Sequence, residues 1–76
     1  MHTSFEFSTG RHYGKAQVLV IMPETAGEDS TTYLFTDLAR GITAIVDVWH
    51  FGRVMTNAEI GRAVLAEYDS GRYSLV

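Results

Sequence analysis

The sequence predicts a small α+β fold, in which two helices pack on one face of a mainly antiparallel sheet in the order β-β-β-α-α-β. Three observations predict it: alternating apolar and polar residues near both ends of the chain, two segments of helical period between them, and glycine or proline at the junctions. The 76 residues are expected to form a single domain, 1–76, because neither half of so short a chain would have a core of its own.

The N-terminal part of the chain predicts three strands. Residues 3–8 alternate strictly, with two phenylalanines on one side, which is the period of a strand with one solvated face. Residues 15–22 are a β-branched run of the kind found in central strands, and Pro23 is expected to end it because proline lacks the amide hydrogen of a ladder. A polar loop over residues 24–30 and a short third strand over residues 31–35 follow.

The longest periodic segment, residues 36–52, predicts the first helix. At about 100° per residue its apolar side chains fall on one arc, and its ends carry a threonine suited to an N-cap and a glycine suited to a left-handed C-cap. A competing interpretation makes residues 42–51 a strand, because this stretch is rich in residues that favour sheets. The helix is preferred because a strand would place Asp47 and Trp49 on the same face.

The second predicted helix has the stronger start signal. Residues 56–59 match the capping box, in which a threonine hydroxyl accepts from the amide of Glu59 and the glutamate side chain reaches back. Gly61 lies beside the apolar stripe of this helix, so we expect another element to approach closely there. Residues 69–71 end the helix, and the alternating residues 72–76 predict a last strand.

Composition argues against several classes of protein. The chain has no cysteine, which removes disulfides and thiolate metal sites and favours a reducing cytoplasm. Its net charge of −3 and its scattered basic residues argue against direct nonspecific binding of nucleic acid. Its longest apolar run is too short to span a membrane.

No residue pattern indicates catalysis, a cofactor or a metal. The three histidines form no i, i+4 ligand pair, and the nucleophile-elbow, dinucleotide, Walker and calcium-loop patterns do not occur. The sequence therefore predicts a protein that is not an enzyme and that binds neither a cofactor nor a metal ion.

One stretch of the chain is acidic without basic compensation. Between Ala16 and Ala39 there is no Lys or Arg, and the carboxylates of this stretch are Glu24, Glu28, Asp29 and Asp37. We expect them to form a negative edge that steers the protein toward a basic surface of a partner. Tyr33 is the predicted aromatic anchor of this contact. The alternative is ordinary surface charge that keeps the protein soluble.

The connection between the first two strands supplies a second predicted contact, formed by Arg11, His12 and Tyr13. Arginine and tyrosine are common in binding hot spots, and a turn can present them to a partner. The alternative is an ordinary hairpin in which Tyr13 folds back over the sheet edge.

A cysteine-free, acidic chain of this size, with no enzyme motif and the acidic stretch just described, resembles the small phage-encoded anti-CRISPR proteins. The resemblance is one of size, charge and absence of motifs over the whole chain. It implies stoichiometric inhibition of a CRISPR effector subunit in the bacterial host cytoplasm, at a basic groove for DNA or guide RNA. It assigns no residue, and the interface at the acidic residues is inferred from their charge.

A second hypothesis is a structural or self-assembling module. Such a module would form a homodimer through an edge strand, over residues 3–8 or 72–76.

Overall fold

The computed structural model describes residues 5–9, 17–38 and 40–76. The elements in these ranges are β1 Phe5–Thr9, β2 Gln17–Ala26, β3 Ser30–Asp37, β4 Ile42–Trp49, α1 Asn57–Asp69 and β5 Ser74–Leu75. All five strands form one antiparallel sheet in the order β1-β2-β3-β4-β5. The α+β class and the small antiparallel sheet are confirmed, whereas the element order is β-β-β-β-α-β and the described residues contain one helix instead of two.

The predicted first helix is wrong, because its central part is strand β4. This strand pairs with β3 along its whole length, from Asp37 opposite Ile42 to Ser30 opposite Trp49. It carries apolar residues on both faces, since Ile45 lies half-buried on the face opposite Val46, and this obscured the period of two in the sequence. Asp47 and Trp49 do share a face, and that face is exposed.

Pro23 does not end the second strand as predicted, because β2 continues to Ala26. The pairing register with β3 shifts between Pro23 and Thr25, so the strand passes the proline at a bulge. The predicted loop over residues 24–30 is consequently reduced to residues 27–29 between β2 and β3.

The core lies between α1 and one face of the sheet. Its buried apolar side chains are Leu19, Ile21, Tyr33, Phe35, Ala44, Val46 and Val48 from the strands and Val64 and Leu65 from α1. Phe35 meets Tyr68 of the helix edge to face, with ring centroids 4.9 Å apart. Alternate residues of β3 are buried along the whole strand, which is why the register of this strand determines what remains on the surface.

Helix α1 begins with the predicted capping box. The Thr56 hydroxyl accepts from the Glu59 N–H at 3.2 Å, and Glu59 Oε1 accepts from the Thr56 N–H at 3.0 Å. Arg53 donates to the other carboxylate oxygen at 2.8 Å. This arginine hydrogen bond, followed by those from Thr56, lowers the pKa of Glu59 from 4.5 to about 2. The predicted end of the helix is also confirmed, since Gly71 adopts a φ of +80° directly after it.

We expect acidification to loosen the first turn of α1. Because the pKa of Glu59 is lower in the folded protein, its contribution to stability is complete above 4.5 and is lost as the pH falls toward about 2. Hydrogen-exchange protection of the Ile60 amide, which donates to the Thr56 carbonyl, should fall over this interval. In Glu59→Gln the protection should be lower at neutral pH and nearly flat, and an equal pH dependence in that variant would contradict the assignment.

Substitution of Gly61 tests whether β1 approaches the helix closely. A Cβ at this position would lie 2.5 Å from Cδ1 of Phe7. Gly→Ala inside a helix normally stabilises by about 1 kcal/mol, but here we expect Gly61→Ala to lower the free energy of unfolding by about 1–3 kcal/mol through overpacking. Denaturant unfolding measures it, and the cost should shrink in a Phe7→Leu background. A stabilised Gly61→Ala variant would show that β1 does not contact the helix here.

Candidate protein-binding surface

Two of the predicted contact residues are buried and cannot meet a partner. Asp37 has no exposed surface, because β3 extends through it and places it on the core side. Its Oδ1 accepts from the Arg40 N–H at 3.2 Å, and its Oδ2 lies 3.9 Å from Arg40 Nε. Tyr33 is 5% exposed opposite Val46, so its role as a surface anchor is wrong. Burial raises the pKa of its hydroxyl, and a hydrogen bond with Thr31 partly offsets this.

The other predicted contacts divide into exposed residues and residues outside the described ranges. Arg11, His12 and Tyr13 belong to the second group, and their role stays a prediction. Glu24, at the bulge of β2, is exposed. Glu28 and Asp29, in the turn between β2 and β3, are exposed as well.

The turn that follows β4 has an unusual backbone. The Arg53 N–H donates to the His50 carbonyl at 3.0 Å, and the two central residues both have positive φ: +54° at Phe51 and +78° at Gly52. Positive φ at both central positions is typical of a type I′ turn, for which Asn-Gly is the preferred pair. Gly52 therefore has the left-handed conformation expected of it, but it belongs to a turn after a strand and not to a helix C-cap. Phe51 occupies the position where asparagine is favoured, so its backbone is strained.

Several hydrogen bonds hold this strained turn in place. The Asp29 carbonyl accepts from the N–H groups of both His50 and Phe51, at 2.8 and 2.9 Å. His50 Nδ1 accepts from the Gly52 N–H at 3.1 Å, so its proton resides on Nε2, which donates to the Thr31 hydroxyl at 3.0 Å. The turn after β4 is thereby fixed against the turn between β2 and β3.

The side chains presented by this turn are large and exposed. Phe51 is 78% exposed and Trp49 is 62% exposed, and their rings lie side by side with centroids 5.9 Å apart and an interplanar angle of 31°. Neither ring joins the core cluster, so the fold bears a strained backbone at Phe51 without burying the ring. Adjacent exposed aromatic rings on a rigid support are typical of a binding surface.

Two exposed carboxylates lie in the turn next to the aromatic pair. Glu28 and Asp29 lie in the turn to which the Phe51 backbone is bonded, and Arg53, the basic residue at this end of the sheet, pairs with Glu59 at 2.8 Å. We call Glu28, Asp29, Trp49 and Phe51 the aromatic-acidic surface. Sequence reasoning found its acidic half and missed its aromatic half, because residues 36–52 were assigned to a helix. The signal that was available is Gly52, a typical turn residue that follows a stretch rich in Ile and Val.

The described residues contain neither a metal-binding cluster nor a helix that could span a membrane. Within residues 5–9, 17–38 and 40–76, no group of three or more His, Asp or Glu side chains is placed to hold a metal ion. In the same ranges, no helix has the length and apolar character needed to cross a membrane. Comparison with protein-family models, with curated proteins and with solved structures finds no match to this chain.

Replacing Phe51 by asparagine should stabilise the protein. Asparagine tolerates the positive φ of this position and keeps the turn, so we expect Phe51→Asn to raise the free energy of unfolding by about 1 kcal/mol. Phe51→Ala removes the same ring but retains a side chain unsuited to this backbone, and it should give little or no gain. Denaturant unfolding of both variants checks this, and a destabilised Phe51→Asn protein would mean that the ring contributes to folding.

Proposed function

We propose that this protein is a non-enzymatic binding protein that docks its aromatic-acidic surface on a basic surface of a protein partner. The observation that carries the proposal is the exposed ring of Phe51 on a strained and firmly bonded turn. Strained backbone of this kind is concentrated at functional sites. An aromatic side chain has only two rotatable bonds, so on a backbone held by hydrogen bonds it loses little conformational freedom on binding, which favours affinity.

The rings and the carboxylates have different roles in this proposal. Trp49 and Phe51 supply apolar area that is desolvated at the centre of the contact. Glu28 and Asp29 form part of its rim, where charge accelerates association with a basic partner and makes the rate depend on salt. Glu24 lies on the same hairpin and adds to the negative field.

We further propose that the partner is a CRISPR effector subunit and that the protein occupies its groove for DNA or guide RNA. This follows from the resemblance to anti-CRISPR proteins and from the chemistry of such grooves, which are basic because they bind phosphates. An acidic surface with an aromatic anchor competes for the same groove without imitating a base sequence. The site of action is then the cytoplasm of a bacterial host.

The decisive experiment titrates purified CRISPR effector complexes of several types with this protein and measures target-DNA binding and cleavage. We expect one effector to be inhibited at a near-stoichiometric ratio. Phe51→Asn should weaken inhibition by at least about tenfold while the fold becomes more stable, since removal of a central anchor costs 2 kcal/mol or more.

Charge reversal provides the matched control. Glu28→Lys and Glu6→Lys change the net charge equally at exposed positions, but only Glu28 belongs to the aromatic-acidic surface. Glu28→Lys should slow association, whereas Glu6→Lys should have a much smaller effect. Equal effects of both variants would show that the net charge of the protein, and not the position of Glu28, determines the association rate. Failure to inhibit any effector would reject the CRISPR target.

Self-assembly through an edge strand is the second candidate, and the observation in its favour is the order of the strands in the sheet. β1 and β5 are the two edges of the sheet in the described chain, as the sequence predicted for the first and last strands. Sedimentation of the protein used for the titration separates the candidates. A tight homodimer that inhibits no effector would support assembly, and a monomer would exclude it.

A further inference from the structure

A cleft lies beside the second half of β4, where the sheet loses its last strand. β5 pairs only with Ala44 and Ile45, so within the described chain no strand lies beside residues 46–49 on this edge. The segment before β5 is held away from the edge, because Arg72 pairs with Glu67 of α1 and the ring of Tyr73 packs on Tyr68 at 4.6 Å.

The cleft is large enough to receive side chains of a partner. It has a volume of about 420 Å³, within the range of about 300–1,000 Å³ that ligand sites occupy. Ile45, Asp47 and Trp49 form its wall on the β4 side, and Arg72 and Tyr73 form the wall on the other side.

The backbone of β4 is oriented for pairing at this cleft. The Val76 N–H donates to the Thr43 carbonyl, so Thr43 turns its backbone groups toward β5. Backbone direction alternates along a strand, and Asp47 and Trp49 therefore direct their N–H and C=O groups toward the same side, past the end of β5. An extended segment laid along this edge would continue the antiparallel ladder.

The charge of the cleft favours a basic occupant. Its arginine, Arg72, is already paired with Glu67. Asp47 accepts a hydrogen bond from the Thr32 hydroxyl at 2.6 Å and has no ion-pair partner among the residues that the structure describes. Trp49 presents an exposed ring next to this carboxylate, and an indole face attracts a cation.

We propose that this cleft binds an extended strand of the protein partner, which pairs with the β4 edge and places a lysine or arginine against Asp47 and Trp49. This inference rests on the proposed function, in which the partner is a protein with a basic surface, and it specifies the mode of contact. Backbone pairing supplies affinity, and the basic side chain supplies selectivity.

A second copy of this chain is a poorer occupant of the same edge. Pairing of β4 with β4 brings Asp47 close to its counterpart, and pairing with β1 offers Glu6 as the charged residue of the incoming strand. Like charges on paired strands are destabilising. The edge therefore selects against self-association and in favour of a basic partner.

The experiment uses isotope-labelled protein and synthetic peptides of about eight residues, the length of an ordinary strand. One peptide alternates lysine with valine, a second has glutamate in place of lysine, and a third repeats the first with N-methyl groups that block one edge of the backbone. We expect the lysine peptide to shift the amide signals of Asp47 and Trp49 and to slow their hydrogen exchange. The glutamate and N-methyl peptides should bind more weakly by about fivefold or more.

Matched variants separate the cleft from general charge. Asp47→Asn keeps an oxygen for Thr32 and removes the charge, and it should weaken binding of the lysine peptide by about fivefold. Glu6→Gln removes an equal charge at the other edge and should have little effect. The thermal midpoint of each variant shows that the fold is retained.

Three outcomes would overturn the inference: no binding of the lysine peptide, equal binding of the glutamate or N-methyl peptide, or signal changes centred on β1. None of them would affect the effector titration, which depends on Phe51 and Glu28. If the peptide results are as expected and no effector is inhibited, the cleft is a strand-binding site of a protein whose partner is not a CRISPR effector.

Discussion

The antiparallel pairing of β3 with β4 is the constraint on which the rest of the structure depends. It runs without a register shift from Asp37 opposite Ile42 to Ser30 opposite Trp49. Because side chains alternate along each strand, this single register places Phe35 and Tyr33 beneath the helix. A shift by one residue would expose the core of both strands and bury the carboxylate of Asp47.

The same register brings together the two turns that carry the aromatic-acidic surface. β4 ends opposite the start of β3, so the turn around Phe51 lies against the turn between β2 and β3, and the Asp29 carbonyl can accept two of its N–H groups. The backbone of Phe51 then has a fixed position although it is strained. The structure gives up some stability at this point and keeps an aromatic side chain exposed on a fixed backbone.

The short last strand has a consequence at the opposite edge of β4. Arg72 and Tyr73 interact with Glu67 and Tyr68 of helix α1, and β5, which has only two residues, leaves part of the β4 edge open. A natural sheet edge commonly carries a charged residue that opposes unwanted pairing, and Asp47 has this effect on acidic strands. The same carboxylate attracts a basic strand. Asp47 would therefore disfavour pairing with acidic strands and favour pairing with basic ones.

Local chemistry in the sequence was sufficient to predict the capping box of α1 and the alternating strands, because each depends on neighbours within a few residues. The glycine at position 61 also predicted that another element approaches the helix there, but only the tertiary structure identified that element as β1, through Phe7. Local chemistry also predicted the exposed carboxylates of Glu28 and Asp29. Only the tertiary structure decided that residues 42–49 form a strand, since their apolar residues fit a helix locally and the pairing with β3 outweighs that preference. The same pairing buries Asp37 and Tyr33, exposes Trp49 and Phe51, and so decides which residues can meet a partner.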